Sequence, residues 1–247
     1  MPRYPSRYTS SISFGPGPVS TAIKALIGAN VVMFLAQSFV PSLTRTLGLI
    51  PYQVFGQLRV WQLGTYMFLH GGLFHILFNM LALWMFGTEL ERVWGTRYFL
   101  KFYFVTGIGA AVLTVLFSLL PFAFAQQLQR SVVIGASGAI FGLLLAYGLY
   151  YPDRPIYMYL VFPVPAKYFV LIMGAIALYS ATGESGGVAS ATHLGGLLVG
   201  YLMLKGARVD PMSELKYRYL KWKINRVRKK FDVYSGGRAD DVNRRVH

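Results

Sequence analysis

Four side chains of the types used in acyl-transfer chemistry lie in strongly apolar stretches of the sequence. Ser137 lies in IGASGAIFG, His193 in SATHLGGLLVGY, and His75 and Asn79 in HGGLFHILFNM. A serine within hydrogen-bond reach of a histidine base is the minimum pair for nucleophilic acyl transfer. His75 and Asn79 are four residues apart and share a helix face, so together with the backbone N–H of Ser137 they can donate hydrogen bonds to an oxyanion.

Acidic residues are confined to the ends of the apolar stretches, the loops and the C-terminal tail. No carboxylate is therefore expected to orient His193, and the sequence predicts a Ser–His dyad rather than a Ser–His–Asp triad. Cysteine is absent, which excludes disulfides, thiolate metal sites and a cysteine nucleophile. The nine acidic residues are Glu89, Glu91, Asp153, Glu184, Asp210, Glu214, Asp232, Asp240 and Asp241.

Other catalytic classes and the packing alternatives fit these residues less well. His70, His75 and His193 could share a zinc ion, but H-E-x-x-H is absent and no carboxylate is near, so we predict neither a metal nor a cofactor. An aspartyl intramembrane protease needs two buried aspartates, and a transporter shows internal repeats; neither feature is present. Taken alone, Ser137 among glycines is more often a helix-packing residue, and His193 could be a satisfied interhelical hydrogen bond. Taken together, in this order and at matching depth, the residues favour a catalytic site.

The composition places these side chains in a membrane. Hydrophobic residues make up 55% of the chain and charged residues 13%, against about a quarter charged in ordinary soluble domains. We therefore predict an all-α membrane protein, a bundle of six transmembrane helices of roughly 20 residues each. The predicted spans are 19–40, 64–88, 98–122, 132–151, 166–183 and 187–205, the fifth starting after Pro163 and Pro165.

The distribution of Lys and Arg predicts the orientation. With a cytoplasmic N-terminus, 21 of the 24 basic residues lie on the cytoplasmic side and three (Arg45, Arg59 and Arg130) on the far side. The second, fourth and sixth spans then run inward and carry their polar residues in the outer half of the membrane. Ionisable residues at this depth face the bundle or a water-filled cavity and mark a functional site.

Small residues indicate which helices approach each other. Gly138 and Gly142 form a G-x-x-x-G pair beside Ser137, and Gly196 and Gly200 form a second one on the face of His193. Such pairs allow close backbone contact between membrane helices. The fourth and sixth spans are therefore predicted to pack tightly, with the serine near the histidine.

These motifs closely resemble those of the rhomboid intramembrane serine proteases. GASGAIFG matches their G-x-S-G motif, HILFN their H-x-x-x-N motif and THLGGLLVG their A-H-x-x-G-x-x-x-G motif, over roughly residues 58–204. The resemblance implies that Ser137 is the nucleophile, His193 its general base, and His75 and Asn79 aids to the oxyanion. It also implies cleavage of transmembrane substrates near the outer membrane face, and a movable fifth span that admits them.

The resemblance also assigns supporting residues and exposes two departures. Phe141 stands where many members carry an aromatic residue stacked on the histidine, and Glu91 in ELERVWG takes a structural role. Gln62 follows Trp61 where an arginine is usual, which we expect to affect lipid anchoring of the loop rather than chemistry. Thr192 replaces the usual alanine before the histidine. Residues 41–62 are predicted to lie at the outer membrane interface.

The flanking segments complete the expectation. Residues 1–18 are predicted to be a disordered cytoplasmic lead-in, 19–205 the six-span protease domain, and 206–247 a basic cytoplasmic tail. The tail is either a solvated extension or a helix that adheres to anionic lipids, and we expect no nucleic-acid partner. The protein is predicted to be multi-pass, in a bacterial plasma membrane. The alternative function is a catalytically inactive rhomboid relative that binds client transmembrane helices.

Overall fold

The computed structural model describes four stretches of the chain: residues 16–121, 123–158, 162–181 and 187–208. The predicted N-terminal lead-in and C-terminal tail lie almost wholly outside the described residues, and their boundaries stay predictions. The chain divides into two compact units, 1–204 and 205–247. The candidate site residues Ser137, His193, His75 and Asn79 belong to the first unit.

The first long helix, α1 (Thr21–Phe39), is a candidate membrane span with a defined N-terminus. The Ser20 hydroxyl accepts a hydrogen bond of 3.1 Å from the backbone N–H of Ile23, which satisfies one of the free donors of the first turn. The predicted first span, 19–40, matches this helix within two residues at each end.

The segment predicted to lie at the interface forms three short helices held by one glutamine. They are α2 (Leu43–Leu47), α3 (Pro51–Gln57) and α4 (Gln62–Thr65). Gln62 is fully buried, its side-chain oxygen accepts from Ile50 N–H (3.1 Å) and its amide donates to Gln53 Oε1 (2.8 Å). Our expectation that Gln62 concerns lipid anchoring was therefore wrong, because this side chain ties the segment together internally.

The second predicted span begins later than expected. After a 3₁₀ turn at Tyr66–Phe68, helix α5 (Leu73–Ala82) continues through a π-helical turn (Leu83–Gly87) into α6 (Thr88–Trp94). Together they form a 22-residue membrane-span candidate, Leu73–Trp94. Residues 64–72 are apolar enough to resemble part of a membrane span. In the structure they form the end of α4, the 3₁₀ turn and the loop that leads into α5.

Helix α7 (Thr96–Ser118) is the third long membrane-span candidate and the central helix of the bundle. Gly95, at φ +76°, makes the sharp turn that separates it from α6. The buried carboxylate of Glu91 accepts hydrogen bonds from the hydroxyls of Ser20 and Thr96, the latter at 2.6 Å. Glu91 thereby joins the starts of α1 and α7 to α6, which fits its predicted structural role.

The remaining described elements follow the same order as the predicted spans. Helices α9 (Ser137–Tyr150) and α10 (Ala166–Ala181) are shorter apolar helices, and α11 (Gly187–Arg208) has 22 residues. A two-stranded antiparallel hairpin, which we did not predict, lies between α9 and α10 and pairs Pro155 with Pro165. Among the described residues the helices form an all-α bundle in which three helices are long and apolar enough to cross a membrane. The other described elements of this part of the chain are helix α8 (Ala123–Arg130) and the two strands of the hairpin, β1 (Pro155–Met158) and β2 (Phe162–Pro165).

Candidate active site

Ser137 is the first residue of α9, whereas the predicted fourth span, 132–151, placed it at least one turn inside a helix. Val133, before it, is extended and pairs with Leu49 in an isolated antiparallel bridge. Gly135 then adopts φ +121°, a conformation that side-chain-bearing residues rarely take. Because this turn makes Ser137 the first residue of the helix, the Ser137 hydroxyl lies next to the free backbone N–H groups of the first helical turn.

The structure brings Ser137 and His193 together. The hydroxyl oxygen of Ser137 lies 2.8 Å from Nε2 of His193, within hydrogen-bond distance. The His193 ring stacks on the ring of Phe141, with centroids 4.3 Å apart and planes 6° apart. Phe141 is one turn after Ser137 on α9, so one helix supplies both the hydroxyl and the surface against which the imidazole rests.

Glycine-mediated contact between α9 and α11 makes this meeting possible. A side chain at Gly196 would collide with the backbone carbonyl of Gly138, and one at Gly200 would lie 3.0 Å from the Cα atom of Gly142. The two predicted G-x-x-x-G pairs therefore face each other directly. Backbones this close leave His193 only a short gap to cross to Ser137.

His75 lies against the turn that precedes Ser137. A Cβ atom at Gly135 would lie 2.7 Å from His75 Nε2, and the same point is 3.7 Å from the Ser137 hydroxyl. The backbone N–H of Gly71 donates a 3.2 Å hydrogen bond to His75 Nδ1. Because Nδ1 accepts, the neutral ring carries its proton on Nε2, on the side facing Gly135.

Asn79 is buried one turn beyond His75 and bonds to its own helix. Its side-chain amide donates to the backbone carbonyl of His75 at 2.7 Å. An amide nitrogen has two hydrogens, so one donor remains for another acceptor. The structure thus places Asn79 next to His75, while its observed hydrogen bond stays within α5.

The carboxylates in the described residues are engaged elsewhere. Glu91 joins the helix starts, Glu89 lies 3.0 Å from the Arg154 guanidinium, and Asp153 lies 2.7 Å from the Lys167 ammonium. Within the described ranges, no group of three or more His, Cys, Asp or Glu side chains is arranged to hold a metal ion. The chemistry available at this place is that of a hydroxyl, two imidazoles and backbone N–H groups.

Tyr66 is a buried support of the site that sequence reasoning missed. Its backbone carbonyl accepts from Gly135 N–H at 2.9 Å, and its hydroxyl donates to the Gly107 carbonyl of α7 at 2.8 Å. It therefore fixes the turn before Ser137 to the central helix. In the sequence Tyr66 looks like any membrane-interface aromatic, so no local signal distinguishes it.

His70 lies beside the site without a described hydrogen bond from its ring. Its ring is 5.0 Å from the ring of His75 in an edge-on arrangement, and only 2% of the residue is exposed. Its backbone N–H donates to the Gln37 side-chain oxygen at 2.9 Å. These contacts are those of a packing residue beside His75.

Comparison with known proteins identifies the family. A family model described as the Rhomboid domain matches residues 57–207, close to the range in which the motifs resemble rhomboids. RHOMBOID-like protein 2 of Arabidopsis thaliana is 29% identical over 174 residues, which cover 70% of this chain and 50% of that protein. Rhomboid protease GluP of Bacillus subtilis is 35% identical over 123 residues, covering 48% of this chain and 22% of that protein.

A second bacterial relative gives the same result. Rhomboid protease AarA of Providencia stuartii is 32% identical over 152 residues, which cover 58% of this chain and 54% of that protein. The chain thus spans about half or less of the length of these relatives. Since the Rhomboid domain model matches more than half of the chain, the protein belongs to the rhomboid family of integral membrane proteins.

Proposed function

We propose that this protein is an intramembrane serine endopeptidase in which Ser137 is the nucleophile and His193 the general base. The observation that carries the proposal is the 2.8 Å approach of the Ser137 hydroxyl to His193 Nε2 at the start of α9. Family membership supports it, as do two relatives whose names describe them as rhomboid proteases. An inactive relative has no need to keep both side chains in this geometry.

The pair performs acyl transfer by a proton relay between two atoms. Nε2 of His193 takes the hydroxyl proton as the Ser137 oxygen attacks the carbonyl carbon of the scissile peptide. The C–N bond then breaks, and His193 returns the proton to the leaving amine. Water, activated by the same imidazole, hydrolyses the acyl-enzyme and restores the serine. Stacking on Phe141 keeps the ring in one plane through both steps.

The oxyanion formed by the attack meets three kinds of donor. The backbone N–H of Ser137 belongs to the free first turn of α9, where the helix dipole also favours negative charge. His75 presents its Nε2 proton to the space beside Gly135 that the Ser137 hydroxyl also borders. The second amide hydrogen of Asn79 is the third donor, provided that the side chain turns toward the site when substrate binds.

The substrates follow from where the site lies in a membrane protein. We propose that they are transmembrane proteins cleaved near the outer face, with water reaching Ser137 through a polar cavity open to that side. The termini would be cytoplasmic, as the distribution of basic residues favours, and the membrane would be a bacterial plasma membrane. Helix α10, which follows the proline-containing hairpin, is the element that must move to admit a substrate helix.

The test is covalent labelling by a fluorophosphonate probe in detergent, followed by cleavage of a transmembrane substrate in liposomes. Wild type should react, and Ser137→Ala and His193→Ala should not. Ser131→Ala is the matched control, because its exposed hydroxyl donates to the nearby Gln127 carbonyl and its loss should leave labelling unchanged. An unlabelled wild type, beside a soluble serine hydrolase that reacts in the same detergent, would overturn the proposal and favour an inactive client-binding protein.

A further inference from the structure

A buried pair of threonines links α11 to α7 one residue before His193. The hydroxyls of Thr114 and Thr192 are 2.9 Å apart, and each residue is 1% exposed. Thr114 also donates to the Ala110 carbonyl at 2.8 Å, so its proton is used within α7. Thr192 is therefore the donor of the shared hydrogen bond, and the pair forms a directional chain from α11 to the α7 backbone.

Thr192 contacts α9 as well as α7. Its methyl group lies where a Cβ atom at Gly138 would come within 3.2 Å, and the Ala110 methyl is 3.1 Å from the same point. Gly138 directly follows Ser137. One side chain thus touches the residue after the candidate nucleophile with its methyl group while its hydroxyl bonds to the central helix.

The glycine contacts around this pair set how closely α11 approaches α7 and α9, but they do little to fix the rotation of α11 about its axis. A Cβ atom at Gly195 would lie 3.2 Å from both the Cα and carbonyl oxygen of Ala110, and one at Gly196 would meet Gly138. Contacts between bare backbones are made by dispersion forces, which depend weakly on a small slide or rotation. A hydrogen bond weakens steeply with misalignment, so it holds one register.

We propose that Thr114 and Thr192 are positioning residues for the dyad: their hydrogen bond fixes the rotation and height of α11 so that His193 Nε2 stays at the Ser137 hydroxyl. This inference rests on the proposed function. Neither threonine touches the reacting atoms. Because the pair is fully buried, water does not compete for the bond, and a displacement near 1 Å at a reacting group costs about a hundredfold in rate.

The test compares variants that remove or keep each hydroxyl. Thr192→Val and Thr114→Val keep the branched shape without the hydroxyl, whereas Thr192→Ser and Thr114→Ser keep the hydroxyl. Thr88→Val is the matched control, since Thr88 is buried and its hydroxyl has no partner among the described residues. Each variant is assayed in lipid nanodiscs below its unfolding temperature for the fluorophosphonate labelling rate, and for kcat and KM on a transmembrane substrate.

We expect each valine variant to lower the labelling rate and kcat about tenfold with KM unchanged, because ground-state binding does not involve the pair. The double valine variant should slow the reaction no more than either single variant, since the same Thr114–Thr192 bond is broken in all three. The serine variants should stay within about twofold of wild type, as should Thr88→Val.

Different outcomes separate this inference from its alternatives. A Thr192→Val protein that is less heat-stable but labels at the wild-type rate would show a purely structural pair. Serine variants as slow as the valine variants would assign the effect to shape and overturn the hydrogen-bond argument. If Thr192→Val does not fold, Thr114→Val and the two serine variants decide the question. An unlabelled wild type sinks the proposed function itself, whereas a reactive wild type with unaffected valine variants sinks only this inference.

Discussion

The ring of Phe141 lies flat on the ring of His193, 4.3 Å away and within 6° of parallel. Phe141 is itself buried in α9, so the imidazole has a rigid wall on one side and the Ser137 hydroxyl at its Nε2 edge. A stacked wall limits the tilting of the ring, which would lengthen the 2.8 Å contact.

Replacing the Phe141 ring should slow catalysis without abolishing it. Aromatic pairs contribute about 0.5–1.5 kcal/mol beyond buried area, so Phe141→Leu should lower kcat about two- to tenfold, and Phe141→Tyr should restore most of it. Phe117→Leu is the control, since Phe117 is more exposed and its ring contact is with Phe124, away from the site. The measurement is kcat on a transmembrane substrate. Equal activity of Phe141→Leu and wild type would show that the stack does not position His193.

The turn at Gly135 should tolerate no side chain. Gly135→Ala would force an alanine to φ +121° and put its methyl group 2.7 Å from His75 Nε2. We expect a loss of about a hundredfold or more in the fluorophosphonate labelling rate, because both Ser137 and His75 are displaced. Gly64→Ala is the control, since a Cβ atom there meets nothing within 4 Å. A Gly135→Ala protein that labels at the wild-type rate would contradict the role of this turn.

The residues of the candidate site were predictable because each carries its chemistry in its type. Ser137 stands out as the one serine and His193 as the one histidine of their apolar spans, and their glycine neighbours indicate the close contact of α9 and α11. The turn that presents the serine was not predictable, because it depends on a backbone torsion at Gly135 and on the tertiary bonds of Tyr66. Local sequence encodes neither.

The fold shows the same division between local and tertiary information. The sequence indicates six apolar segments, and the prolines at 163 and 165 correctly place the start of α10 at Ala166. The hairpin before α10 escaped notice because proline disfavours strands and because each strand has only four residues. The predicted start of the second span at residue 64 was wrong, since apolar content does not distinguish the turn and loop before Leu73 from the helix that follows.

The buried carboxylate of Glu91 should matter for stability more than for chemistry. Glu91→Gln replaces hydrogen bonds to a charged acceptor from Ser20 and Thr96 by weaker neutral ones. We expect the free energy of unfolding to fall by about 1–2 kcal/mol, with kcat of the folded protein near wild type. Glu89→Gln is the control, because its ion pair with Arg154 is partly exposed and contributes under about 1 kcal/mol. Unfolding in detergent, followed by circular dichroism, measures both, and equal stability of the two variants would contradict the argument.

The proposed orientation can be tested at the two ends of α9, because the natural chain contains no cysteine. A 14-residue helix is about 21 Å long, so residues just beyond its ends lie near opposite membrane surfaces. Ser131→Cys precedes the helix, and Asp153→Cys follows it at a side chain that is 79% exposed. A membrane-impermeant maleimide applied to intact bacterial cells should label Ser131→Cys, but Asp153→Cys only after lysis. The parent chain should stay unlabelled throughout. The reverse pattern would place Ser137 near the cytoplasmic face, and would overturn both the cytoplasmic termini and the proposed access of substrate from outside.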